Sequence, residues 1–264
     1  MELTAPESAP AAEKPQGLPP LPPFKGLLGR KLGMTRIFDD FGRAVSATVI
    51  EAGPCQVVQV KTPSRDGYSA VTLGFGRPSK QQTTKARTGI FARINLEPKR
   101  WLREFRVTST EGFHVGQTVE SSCFAKGEFV DISGVNKGKG FAGVVKRHRF
   151  GGGPRTHGQS DRLRAPGASG GQGPQRVTKG HRQPGHMGAE MSTVQAVRVL
   201  HVDLEHHVVA IEGAVPGPEG NFLVIKPTVK KVSLHIPQAH HAKAAAKPEK
   251  AKAKPAAPAK AAAK

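Results

Sequence analysis

Apolar and polar positions alternate with period two in short runs along most of the chain. Residues 45–51 (VSATVIE), 55–62 (CQVVQVKT) and 69–75 (SAVTLGF) have this form, as do 101–107 (WLREFRV) and 128–133 (EFVDIS). The pattern returns at 194–203 (VQAVRVLHVD), 207–212 (HVVAIE) and 222–226 (FLVIK). Side chains of a strand point alternately to its two faces, so each run predicts a half-buried strand. Gly53-Pro54, Asp66-Gly67, 203–206 and 213–221 supply the turns between them. Helical periodicity is scarce, and residues 79–100 predict loop with a short helix. Eight or so short strands with regular punctuation predict a mainly β fold, an antiparallel barrel or sandwich.

Between the fifth and sixth runs the alternation stops. Residues 136–188 hold fourteen glycines, four prolines and four histidines. About fifty residues with so few apolar positions cannot build their own core. A loop this long inside a compact domain is uncommon and usually functional. The expected organisation is therefore a body split in sequence, 24–135 and 189–238, with 136–188 inserted as an extension. Residues 1–23 predict a disordered, proline-rich leader, and 239–264, almost wholly Ala, Lys and Pro, a disordered tail.

Charge sharpens this map. The 264 residues carry 40 Lys or Arg against 20 Asp or Glu, a net charge of +20. Such an excess points to a polyanionic partner, most often nucleic acid. The extension alone holds eleven of the cations against one acid, Asp161. They are Lys137, Lys139, Lys146, Arg147, Arg149, Arg155, Arg162, Arg164, Arg176, Lys179 and Arg182. Arginine offers a planar fork to phosphate, and lysine a point charge. Gly138, Gly140, Gly143, Gly153, Gly158 and Gly167 lack the Cβ that would hold the backbone away from a phosphate chain. His148, His157, His181 and His186 match no metal-site spacing, and hydrogen bonding to phosphate or ribose suits them better. Phe141 and Phe150 are candidates either for stacking on a base or for packing the extension onto the body.

Other classes recede. No apolar run approaches the ~18 residues that a membrane span needs. The first 23 residues lack the apolar core of a secretory signal, and two cysteines, Cys55 and Cys123, make neither a disulfide scaffold nor a zinc site. A cytosolic protein without cofactor or metal is expected. No Walker A spacing, GxSxG or paired-acid motif appears, which argues against an enzyme. A general nucleic-acid compactor acting through the Ala-Lys-Pro tail stays open on composition alone.

Several stretches resemble one family. GLLGRKLGMTRIF (26–38) is similar to the opening of bacterial large-subunit ribosomal protein L three, and VDISGVNKGKGFAG (130–143) to its most distinctive stretch. KRHRF (146–150), GPRTHG (153–158), RAPG (164–167), GHMG (185–188), GAVPG (213–217) and VIKP (224–227) follow in the family's order. The resemblance spans about 25–230 and implies a β-barrel of translation-protein type on the ribosome surface. It also implies an extension buried in 23S ribosomal RNA near the peptidyl transferase centre. Direct binding of that RNA, a part in early subunit assembly and contact with neighbouring large-subunit proteins follow from it, with no catalytic groups. Many bacterial members carry an N5-methylated glutamine here, the work of a glutamine methyltransferase. Gln172 is the best positional match if one residue is missing just before it, and Gln175 is the rival.

Overall fold

The computed structural model describes residues 24–39, 42–171, 173 and 175–232. The leader 1–23, the tail 239–264 and Gln172 lie outside the described residues. Strands are β1 (Leu27–Phe38), β2 (Ala44–Ala52), β3 (Cys55–Lys61), β4 (Ala70–Phe75), β5 (Trp101–Arg106) and β6 (Thr118–Val119). They continue with β7 (Phe129–Val135), β8 (Phe141–Ala142), β9 (Gly185–His186), β10 (Met191–Asp203), β11 (Val208–Glu212) and β12 (Phe222–Pro227). Three short helices interrupt them: α1 (Pro63–Asp66), α2 (Lys85–Arg93) and α3 (Val144–His148).

The expected mainly β, antiparallel architecture is present, and its strands divide. Six of them close a ring in the order β1-β12-β7-β10-β11-β2, every neighbouring pair antiparallel. A second sheet, β5-β4-β3-β6, was not anticipated as separate. Both sheets share one core: Leu27, Ile50, Ile132 and Leu223 from the ring meet Val57, Val71, Leu73 and Phe105 from the sheet. All six residues of β4 are buried. Both of its faces are therefore covered, the polar alternate Thr72 included.

The longest omission is β1. It pairs with both β12 and β2, so the ring cannot close without it. Glycines at 29 and 33 break its alternation, and the structure shows why one of them is there. A Cβ on Gly29 would sit 2.6 Å from the Glu51 carbonyl oxygen and 2.8 Å from Ile50 Cγ2. The strand's first part is buried, while Met34 and Phe38 project into solvent beside the start of β2.

Ile132 is fully buried where β7 meets β12 and β10. Ile132→Ala leaves a cavity, and unfolding free energy should fall by about 2–5 kcal/mol, read by urea denaturation. Cys55 is buried, and Cys123 is partly buried against the same core. Cys55 donates its S–H to the Leu28 carbonyl, and burial pushes both Cys55 and Cys123 up to about 12. The folded chain then keeps its thiols protonated where the unfolded chain ionises them. This contribution is complete below pH 9 and is lost as pH rises from about 9 towards 12. Replacing both cysteines with alanine should flatten the alkaline decline of the melting temperature, and native protein should resist thiol alkylation at pH 8.

Candidate nucleic-acid interface

The extension leaves and re-enters the body between two neighbouring strands. β7 and β10 are paired up to Val135 and Met191. Their ladder continues past the ring, with the Asn136 N–H donating to the Glu190 carbonyl at 2.9 Å. The Asn136 side-chain oxygen accepts from the Glu190 N–H in return. Lys139 N–H donates to the Met187 carbonyl, and Met187 N–H to the Gly140 carbonyl, each at 2.9 Å. β8 and β9 then pair Phe141 with His186 and Ala142 with Gly185. The outgoing and returning legs are thus one backbone-bonded neck. Fixing both ends reduces the entropy lost when the arm docks, compared with a free tail.

Several residues brace this neck. Gly188 has φ +78°, and a Cβ there would collide with the Lys137 carbonyl oxygen. Asn221, in the turn before β12, donates its side-chain amide to the Val135 carbonyl at 3.0 Å. Lys31 is buried and reaches the Val215 and Gly217 carbonyls. Burial, and next the nearby Lys137 charge, hold its ammonium below the usual lysine range, with Glu219 opposing.

Beyond β8 the chain turns into α3. Val144 is buried at its start, and the helix ends where Arg149 adopts the left-handed conformation at φ 61°. Arg147 Nη1 donates to the Gln183 carbonyl at 2.9 Å, and His148 Nε2 lies 3.1 Å from the same oxygen. Arg147 also passes over Gly185, where a Cβ would lie 2.7 Å from Nη1. Of the cations expected to meet phosphate, Arg147 therefore has a structural task as well: it fastens the outgoing leg to the returning one. Gly153 departs from expectation in the same way. A Cβ there would meet the Arg162 carbonyl oxygen at 2.8 Å, and its N–H bonds the Leu163 carbonyl. Its close approach is to the arm's own backbone at Arg162 and Leu163. Gly140, Gly143, Gly158 and Gly167 face open space, and Gly138 only touches Ala189.

The body neutralises many of its charges and the arm does not. Lys25 pairs with Glu128, Arg30 with Glu51, Lys61 with Glu104, and Arg198 with Asp39 and Glu212. Among the described residues, none of the arm's eleven Lys or Arg forms an ion pair. Ten of them are exposed, from Lys137 to Arg182, and Arg147 is half-buried. His157 and His186 are exposed as well, while His148 and His181 are half-buried. The buried Nε2 of His181 has no hydrogen-bond partner. Gln175 is exposed, with φ 45°. No group of three or more His, Cys, Asp or Glu is placed to hold a metal among the described residues. Asn136, Gln183, Asn221 and Lys31 were missed at the level of sequence. Asn136, Asn221 and Lys31 act through a backbone carbonyl or N–H of a distant residue, and Gln183 through its own carbonyl, which leaves no local signal.

Comparison with known proteins decides the family. A family model described as Ribosomal protein L3 matches residues 106–207, which contain the whole arm. The large ribosomal subunit protein uL3 of Pelotomaculum thermopropionicum is 52% identical over 206 residues, covering 78% of this chain and 98% of that protein. The chain belongs to the ribosomal protein L3 family. The uL3 of Carboxydothermus hydrogenoformans is 50% identical over 206 residues, with 78% of this chain and 98% of the relative covered. That of Endomicrobium trichonymphae is 48% identical over 209 residues, with 79% and 92% covered. These L3 relatives are named as ribosomal proteins and not as enzymes, in agreement with the absence of catalytic motifs from the sequence.

Proposed function

We propose that this chain is a structural constituent of the large ribosomal subunit, in the cytoplasm, that binds 23S ribosomal RNA directly. The ring, read as a barrel of translation-protein type, anchors it. The arm enters the RNA, supports early assembly and organises RNA near the peptidyl transferase centre. Neighbouring large-subunit proteins are its other partners. One observation carries the reading: eleven cations that form no ion pair among the described residues stand on an arm whose two ends are bonded together. Like charges repel one another, so such an arm is further stabilised where a polyanion supplies the missing charge. Each phosphate contact releases condensed counterions, which makes binding steeply salt-dependent. The proposed contacts are the residues named above, with Arg147 both bracing and binding.

Sucrose-gradient sedimentation of a lysate, at high and low magnesium, tests the assignment. The chain is expected to travel with the large subunit and to stay there after the subunits part. A chain found free or with the nucleoid would overturn the assignment in favour of the tail-driven compactor. The reading also includes methylation of Gln172 by a glutamine methyltransferase, for which an intact mass with one methyl increment is the check.

A further inference from the structure

Phe141 is 79% exposed on β8. Single exposed apolar residues are common and usually mean nothing. Three features set this one apart. The backbone beneath it is immobilised, since β8 is paired with β9 and the Lys139 and Gly140 backbones are bonded to Met187. The two-stranded ladder also has a covered face and an open one. Ala142 is buried, with Arg147 lying over its partner Gly185. Successive strand residues face opposite ways, and residues directly opposite share a face. The open face therefore presents Phe141 together with His186, also exposed. Lastly, Lys137, Lys139 and Lys146 are exposed close by in the chain, and the acids nearest to them in sequence are Asp131 and Asp161, with Glu190 across the ladder from Asn136.

An exposed aromatic ring on a bonded backbone, with exposed lysines close by in the chain, matches the two halves of a nucleotide, a flat base and an anionic phosphate. We propose that Phe141 is the platform on which one unpaired nucleobase of the bound RNA stacks, with His186 beside it contacting the same nucleotide. This rests on the reading of the arm as an RNA-binding element. Phe150 does not share the role: it is half-buried, with its ring 6.1 Å from that of His148. An apolar protein partner would fit the ring and leave the lysines without a counter-charge.

The test uses the full chain, 23S ribosomal RNA and the variants Phe141→Leu and Phe141→Trp, titrated by filter binding over a salt series. Leucine keeps the apolar bulk and removes the π face. It is expected to weaken binding about ten-fold at every salt concentration with the log–log slope unchanged. Tryptophan is expected to bind at least as tightly as the parent. Equal binding by the leucine variant would overturn the platform, as would failure of tryptophan to sustain binding. A loss accompanied by a flatter slope would overturn it too, by tracing the effect to displaced lysines. If the parent chain does not bind the RNA, the arm's function falls first and the platform with it. The position is exposed, so unchanged melting temperatures are expected and confirm that folding is not involved.

Discussion

Replacing Lys137, Lys139 and Lys146 with glutamine is expected to weaken binding to 23S ribosomal RNA by about a hundred-fold at 0.1 M salt. The log–log salt dependence should become shallower by about 2 to 3, at ~0.7–0.9 for each phosphate no longer neutralised. These three are chosen because all are exposed and none carries an ion pair, so their removal costs the fold little. Arg147 is left in place. Its guanidinium holds the Gln183 carbonyl, and replacing it would mix loss of charge with loss of the neck. The measurement is a titration at several salt concentrations. An affinity and slope equal to those of the parent would mean that this stretch makes no phosphate contacts, whatever the family's general behaviour.

Gly188→Ala should have the next largest effect, and by a different route. The residue is buried, its φ is +78°, and an added Cβ would strike the Lys137 carbonyl oxygen and lie 2.9 Å from the Lys139 nitrogen. The left-handed conformation alone costs a non-glycine residue about 1 kcal/mol. The backbone collision adds to that, because neither atom belongs to a flexible side chain. We expect the legs of the neck to part. Hydrogen exchange at the Lys139 and Met187 amides should lose its protection, and RNA affinity should fall at least ten-fold as the arm loses its fixed origin. The ring is closed by ladders that do not involve Gly188, so the main melting transition should move only slightly. Retained protection at both amides would show that the neck tolerates the methyl group and that the glycine has another cause.

The two results separate charge from placement. The lysine variant keeps the arm where it is and removes what binds. The glycine variant keeps every cation and removes what holds them in place. An arm that acts only as a cationic tether would lose affinity in the first experiment and not in the second.

All eight strands expected from alternation are present, because period-two patterning is a local property that survives whatever the strand later pairs with. So is the charge of 136–188, which is a sum over residues and needs no geometry. The family likeness was legible for the same reason, as motifs in order along the chain. β1 escaped because Gly29 answers to β2 across the sheet and not to its own neighbours, and Gly33 stands where the register with β2 shifts. The two-residue strands β8 and β9 are too short to show a period, yet they sit on the arm's two legs. At Gly153 the missing Cβ lets the arm pack on itself, a reason that its sequence neighbours do not show.

Sequence by itself thus determined which segments are strands, where the unpaired charge lies and to which family the chain belongs. Tertiary structure alone decided that the strands split between a closed ring and a second sheet, that the arm's two legs are bonded into a neck, that Arg147 braces it, and that Phe141 is left facing outward. The physical reason is range. Side-chain alternation and charge are set residue by residue, whereas the partners of Phe141, Arg147 and Gly188 lie about 35 to 50 residues away and are chosen only when the chain closes on itself.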